Sequence, residues 1–179
     1  KAIENSEVGG TIRLAAGMHT ESGTVTITKQ ICLVGDDGAV LIVDTKPTVT
    51  PGEPLDPAIY IYQAPGACVD NIELRPVDPK GGSGVIIEQS DNTSVRNCKI
   101  FQHQYGVVLE ASHYVRIENN TIECPGWATS GLPLEVCVMI INGQYANILG
   151  NDLSNGFFGA WICDENGTFN NNVVTDNYI

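Results

Sequence analysis

Four side chains recur at one position of a repeating sequence unit and are the first candidates for a functional site. Glu88 and Glu110 are 22 residues apart, and the alignment of repeats continues this series to Asn142 and Asp164. If the repeats stack as strands, these side chains lie about 5 Å apart from one coil to the next. Carboxylates at that spacing repel one another unless a cation or solvent lies between them. The series therefore predicts either a binding site or a solvated acidic stripe.

Trp127 is a further candidate binding residue because it lies in a loop rich in Pro and Gly. An exposed Trp on such a loop could stack on a sugar ring or anchor a protein contact. Packing of the ring back onto the body of the fold is the alternative. We combine Trp127 with Glu88, Glu110 and Asp164 as the predicted binding residues.

Six cysteines are many for 179 residues. Cys124 and Cys137 flank the loop that holds Trp127, and a disulfide between them would stabilise the fold by about 3 kcal/mol. The alternative is that all six cysteines are small buried apolar side chains. Cys98 favours the alternative because it aligns with Asn120, Asn151 and Asn172. The absence of a C-x-x-C pair and the scattered histidines do not favour a zinc site.

Short apolar runs recur along the chain and predict the elements that position these residues. The aligned pairs, each 22 residues apart, are Val85–Val107, Val95–Ile117 and Ile100–Ile122. The runs are rich in β-branched residues and end at Gly, Asn or Asp, which is typical of strands. Strands that far apart in sequence do not form hairpins, so we expect them to stack in parallel as the coils of a solenoid. This predicts an all-β fold, a parallel β-helix with a short N-terminal cap.

The same alignment predicts where coils start and which residues fill the interior. Coils start near Ile59, Val85, Val107, Val138 and Trp161. One interior column holds Val95, Ile117, Ile148 and Phe169, and a second holds Ile100, Ile122, Leu153 and Val174.

Residues 1–179 are predicted to form one domain, with the cap and first coils in 1–58 and the regular coils in 59–179. Insertions interrupt the repeat just before the strand that opens a coil, at Asp44–Pro57, Arg75–Gly82 and Glu123–Glu135. Equivalent positions of stacked coils lie along one edge, so all three loops should share one flank. The last residues are a rung sequence without a polar lid, which suggests either a truncated chain or end-to-end self-association.

The chain resembles the right-handed parallel β-helix proteins of the pectin lyase-like superfamily. The opening GGTIRLAAGMHTESGTVTITKQICLVGDDGAVLI is similar to the first coil of that family, and SVRNCKI, VRIENNTI, NILGNDL and FNNNVV resemble its repeat. The resemblance implies a right-handed fold. Because lyases of the family hold calcium on acidic ladders, it also implies a calcium site at Glu88, Glu110 and Asp164. The fold hosts enzymes and binding modules alike, so function must be argued from the site.

The catalytic groups of the family are incomplete here. No Arg or Lys aligns beside the acidic series, as a lyase would require, and the Asp pairs of the family's hydrolases and esterases are not evident. We therefore expect a non-catalytic structural or binding module of an extracellular or cell-surface assembly. Apart from the calcium that the resemblance implies, the sequence assigns no cofactor. The alternative is a carbohydrate-active enzyme, a calcium-dependent lyase or an epimerase, acting on acidic polysaccharide. A cytoplasmic binding module, of the kind attached to F-box proteins, is a third option.

The composition limits the kinds of partner that the chain is expected to bind. The formal net charge is −12 and the pI is about 4.4, which argues against binding to nucleic acid or to anionic membrane. No apolar run approaches the length of a membrane span. The expected partners are polysaccharide or further copies of the chain.

Overall fold

The computed structural model describes residues 2–47, 55–78, 81–126, 134–163 and 171–179, and within them the chain winds into a parallel β-helix. Each coil adds a strand to three sheets, and every strand pairs in parallel with its neighbours. The predicted all-β fold class is confirmed. A short helix, α1 (Ala2–Asn5), lies at the N-terminal end, where Ile3 packs against the core.

The first sheet contains β1 (Thr11–Leu14), β4 (Cys32–Gly35), β7 (Cys68–Asp70), β10 (Ser94–Arg96), β13 (Arg116–Glu118), β16 (Asn147–Leu149) and β19 (Val173–Thr175). The second contains β2 (Gly17–Glu21), β5 (Ala39–Val43), β8 (Glu73–Pro76), β11 (Lys99–Phe101), β14 (Thr121–Glu123) and β17 (Asp152–Ser154). The third contains β3 (Val25–Ile27), β6 (Pro57–Tyr62), β9 (Gly81–Glu88), β12 (His103–Glu110), β15 (Val136–Ile141) and β18 (Phe158–Cys163).

The interior is built from apolar residues stacked in register, because alternate side chains of each strand face the lumen. The predicted neighbours Val95, Ile117 and Ile148 pair on successive strands of the first sheet, and each is fully buried. In the third sheet the predicted coil starts pair in register, in the order Ile59, Val85, Val107 and Val138.

The predicted register is wrong at two places after the insertions. Glu110 pairs with Ile141 and not with Asn142, because the step of 31 that joins Val107 to Val138 continues to the end of the strand. Val138 likewise pairs with Ala160, one residue before the predicted start at Trp161.

The final coil is also displaced from the prediction. Val174 pairs with Ile148 in the first sheet and does not continue the column of Leu153 in the second sheet. Val174 follows its partner Ile148 by 26 residues, whereas the alignment placed Phe169, 21 residues after Ile148, at this position. Phe169 lies outside the described residues.

Buried amides connect the coils at the corner between the first and second sheets. Asn120 donates its Nδ2 to the carbonyl of Val95 at 3.0 Å and to Oδ1 of Asn151 at 2.9 Å, and its own Oδ1 accepts from the backbone N of Cys98. Asn177, not the predicted Asn172, continues this ladder. The amides satisfy backbone groups that the turn would otherwise leave without partners.

The three insertions lead into β6, β9 and β15 of the third sheet, so their ends share one corner as predicted. The first two extend into the strands, because Pro57 belongs to β6 and Gly81 and Gly82 belong to β9. The outer face of this sheet is itself apolar and buried, at Ile86, Tyr105, Val108, Val136 and Met139. Leu55 and Leu134, at the ends of two insertions, pack against it. The bases of these loops therefore cover the sheet with a second apolar layer.

The predicted disulfide between Cys124 and Cys137 is not formed. Both are buried free thiols whose Sγ atoms lie 3.7 Å apart. Cys32 and Cys68 are joined instead, on the paired strands β4 and β7. The two cysteines are 36 residues apart, so the regular step of 22 does not place them on neighbouring coils, and the sequence did not reveal this bond. Burial as small apolar side chains describes Cys98, Cys124 and Cys137 correctly.

Candidate functional site

Two of the predicted acidic residues lie side by side on the outside of the third sheet. Glu88 pairs in register with Tyr62 on one side and with Glu110 on the other, at the ends of three successive strands. Their neighbours Ile61, Ile87 and Leu109 fill the lumen, so the acidic side chains face outward. We call Tyr60, Tyr62, Glu88 and Glu110 the acidic patch.

The tyrosines of the acidic patch hold one of its carboxylates in place. The hydroxyl of Tyr60 donates a hydrogen bond to Oε2 of Glu88 on the next coil. The rings of Tyr60 and Tyr62 stack with their centroids 5.5 Å apart. Burial raises the pKa of Tyr60, and the hydrogen bond to Glu88 and its charge raise it further. Tyr60 is therefore a permanent donor to Glu88 and does not titrate near neutral pH.

No Lys or Arg occurs in any strand of the third sheet. The strands of this sheet therefore place no Lys or Arg beside Glu88 and Glu110, where the family's lyases would have their base. What the acidic patch offers is two carboxylates as hydrogen-bond acceptors and the phenol groups beside them.

The described residues bring together two of the three carboxylates of the predicted calcium site, Glu88 and Glu110. Calcium takes six to eight oxygen ligands, and only two of the predicted carboxylates meet here. Across the described ranges, no group of three His, Cys, Asp or Glu side chains is arranged to hold a metal ion. Asp164 lies outside these ranges, so its part in the site stays a prediction.

The remaining predicted residues are only partly placed. Trp127 lies outside the described residues, and its role in binding stays a prediction. Asn142 was predicted to continue the acidic series, but Ile141 is the residue that pairs with Glu110. Asn142 is the next residue and lies in a turn, with a φ of 54°. The sequence did not reveal the hydrogen bond between Tyr60 and Glu88. A signal was present, because Tyr60 and Tyr62 alternate with Ile59 and Ile61, so that one of the two pairs must face outward.

The C-terminal coil exposes apolar side chains. Val174 and Ile179 are 38% and 72% exposed, and Phe158 and Trp161 form an aromatic pair with centroids 5.6 Å apart. End-to-end self-association through this surface stays a prediction. No helix in the described part of the chain is long and apolar enough to cross a membrane.

Comparison with known proteins agrees with this architecture. Several solved chains are similar in structure to this one, and two of them have low sequence identity to it. A candidate glycosyl hydrolase from Parabacteroides merdae is 10% identical, with a TM-score of 0.64, over 87% of this chain and 81% of that one. The ORF18 protein of Geobacillus virus E2 is 16% identical, with a TM-score of 0.66, over 98% of this chain but only 37% of that one.

At these identities the likeness shows the fold alone. No curated protein sequence matches the chain. The family described as "right handed beta helix region" matches residues 57–179, most of the chain. Together with the three parallel sheets, this match shows that the chain belongs to the right-handed β-helix family.

Proposed function

We propose that the protein is a non-catalytic β-helix module that binds a neutral polysaccharide at the acidic patch. The observation that carries the proposal is the in-register pair of Glu88 and Glu110 on an outward face whose strands contain no Lys or Arg. Carboxylates accept strong hydrogen bonds from hydroxyl groups, and adjacent sugar hydroxyls offer paired donors. Neutral chains fit better than acidic ones, because the net charge of −12 repels anionic polymers.

An extracellular or cell-surface location is part of the proposal. The disulfide between Cys32 and Cys68 supports it, because disulfides persist mainly in oxidising compartments. Intact mass spectrometry tests the proposed location. Protein from its natural source is unfolded and its mass is measured with and without reductant. Reduction of the disulfide adds two hydrogen atoms, so the corresponding gain in mass is expected, and an unchanged mass argues for a cytoplasmic protein.

Binding is tested by calorimetry with gluco-, manno- and xylo-oligosaccharides, and with oligogalacturonate as the acidic probe. We expect one neutral series to bind, and Glu88→Gln or Glu110→Gln to weaken it about tenfold, because a charged acceptor is lost. Glu7→Gln is the control, since it removes the same charge from an exposed residue far from the patch along the chain. Binding that survives both patch substitutions contradicts the proposal.

The enzyme alternative has one specific observation in its favour, the close pairing of two carboxylates. Glycoside hydrolases use such a pair as acid and nucleophile or base. Release of reducing ends from the bound oligosaccharide, or absorbance at 235 nm with oligogalacturonate and calcium, measures turnover directly. Turnover that is lost in Glu110→Gln would establish a catalytic site in place of a binding module.

A further inference from the structure

A second cluster of polar and aromatic residues lies at the corner that leads from the third sheet to the first. Tyr114 and Tyr145 occupy equivalent positions of successive coils, since each lies two residues before the in-register pair of Arg116 and Asn147. The backbone N of Tyr114 bonds to the next coil, at the carbonyl of Gln144, as the backbone N of Asn92 does at the carbonyl of His113. Their rings are nearly parallel, at 7°, with centroids 4.8 Å apart. They are 53% and 39% exposed. We call Tyr114 and Tyr145 the tyrosine pair.

The backbone at this position does not favour tyrosine. Tyr114 and Tyr145 both have a φ of 57°, in the left-handed region that bulky residues rarely adopt. The same turn contains Asn92 in the preceding coil and Asn171 in the last one, each with a φ of 58°. Asn is the better residue for this conformation, and stacking of the two exposed rings offsets only part of the difference.

An arginine without an ionic partner lies beside the tyrosine pair. Arg116, on β13, is exposed, and within the described ranges its guanidinium makes no hydrogen bond or ion pair. The other three arginines each pair with a carboxylate, in Arg13–Asp36, Arg75–Glu73 and Arg96–Asp70. In a chain with 21 acidic residues and nine basic ones, an arginine left unpaired is available for an external anion.

These residues enclose one shallow cavity. Its volume is about 240 Å³, and its lining consists of Asn92, Tyr114, Arg116, Tyr145 and Asn147. Arg116 and Asn147 pair in register, so the guanidinium and an amide stand on adjacent coils. The volume is below the 300–1,000 Å³ typical of drug-sized ligands, which suits a single ring. The lining combines a cation, two amides and two phenol rings.

We propose that this cavity binds one saccharide unit that carries an anionic substituent. Arg116 holds the anionic group, a carboxylate, sulfate or phosphate, for which its planar donors are suited. The amides of Asn92 and Asn147 bond the hydroxyls, and the tyrosine pair contacts the apolar side of the ring. The site shares no residue with the acidic patch, and its ligand is anionic whereas the ligand proposed for the acidic patch is neutral. Evidence for or against one site therefore does not decide the other.

The test is a titration of ¹⁵N-labelled protein, followed by NMR, with glucuronic acid, glucose 6-sulfate and glucose 6-phosphate. Glucose and inorganic phosphate are the matched probes for the ring alone and the anion alone. We expect saturable shifts at Tyr114, Arg116 and Tyr145 with at least one anionic sugar, at least tenfold tighter than with glucose or phosphate. The anionic sugar that binds tightest identifies the substituent. Equal binding of inorganic phosphate would mean an adventitious ion only and would overturn the proposal.

Substitutions separate binding from folding. Arg116→Gln should reduce the affinity for the anionic sugar to that for glucose, whereas Arg13→Gln, which removes the same charge elsewhere on the first sheet, should leave it unchanged. Tyr114→Asn should lose binding while the unfolding midpoint stays equal or rises, because Asn occupies this turn in other coils. Wild-type affinity in Arg116→Gln or in Tyr114→Asn refutes the site. Glu88→Gln should bind the anionic sugar normally, which distinguishes this site from the acidic patch.

Discussion

Acid should destabilise this protein through one buried histidine. His103 is 1% exposed at the start of β12, and among the described residues neither ring nitrogen has a hydrogen-bond partner. Burial lowers the pKa of His103 from 6.5 to about 3. The unfolded chain therefore binds a proton between these pH values that the folded chain excludes. Stability is complete above pH 6.5 and falls as the pH drops towards the folded pKa.

The size of the effect follows from the two pKa values. Each unit of pH below 6.5 costs about 1.4 kcal/mol until the folded pKa is reached. At pH 5 the loss is about 2 kcal/mol relative to pH 8, and near pH 3 it approaches 5 kcal/mol. A loss of that size is a large fraction of the 5–15 kcal/mol that typically stabilises a domain.

The assay is urea unfolding from pH 5 to pH 8 at constant ionic strength. Carboxylates also contribute to the pH dependence, so the quantity to compare is the difference between wild type and His103→Leu at each pH. We expect that difference to change by about 2 kcal/mol over the range. His103→Gln is the matched variant, since it keeps a polar group but does not titrate, and it should remove the same slope. If His103→Leu and wild type have parallel pH profiles, the reasoning from burial is wrong.

Three further predictions concern the fold. Asn120→Ala should cost about 2–3 kcal/mol of unfolding free energy in urea, because buried backbone groups lose their partners; a loss below about 0.5 kcal/mol would contradict the ladder. Gly106→Ala should destabilise by about 3 kcal/mol or prevent folding, since its Cβ would lie 2.3 Å from a buried side chain, while Gly23→Ala, in open space, should be neutral by thermal unfolding. Mild oxidation with a disulfide reagent should join the thiols of Cys124 and Cys137, which lie 3.7 Å apart, and mass spectrometry of a Cys124→Ala control should show no such bond.

The fold could be predicted from the sequence because stacked coils repeat the same requirement at the same position. Val85 and Val107 both fill the lumen beside the same type of neighbour, so a step of 22 is visible without any structure. The prediction of Asn142 failed where an insertion interrupted the step, whereas Trp161 was misplaced by one residue although Val138 and Ala160 keep the step of 22. The length of an insertion does not reveal how many of its residues belong to the flanking strands, and this produced the one-residue error at Asn142.

The candidate sites were less accessible to sequence reasoning. The column of Glu88 and Glu110 was predicted, because both lie within one uninterrupted pair of coils. The tyrosine pair was missed, although its signal is present: Tyr114 and Tyr145 stand where the preceding repeat has Asn92. Recognising it requires knowing that this turn has a positive φ, and that is a property of the backbone and not of residue type.

Both faces of the third sheet carry buried apolar side chains, which restricts how the loops of this chain can be redesigned. In an ordinary solenoid, surface excursions can be trimmed or exchanged with little effect on the coils that carry them. Here, shortening the segments that end at Leu55 and Leu134 would uncover a strip formed by Ile86, Val108 and Met139 across three coils. Such a strip is a template for aggregation. Leu55 and Leu134 thus belong to the packed wall of the fold, and a foreign loop grafted at this corner has to supply equivalent apolar side chains.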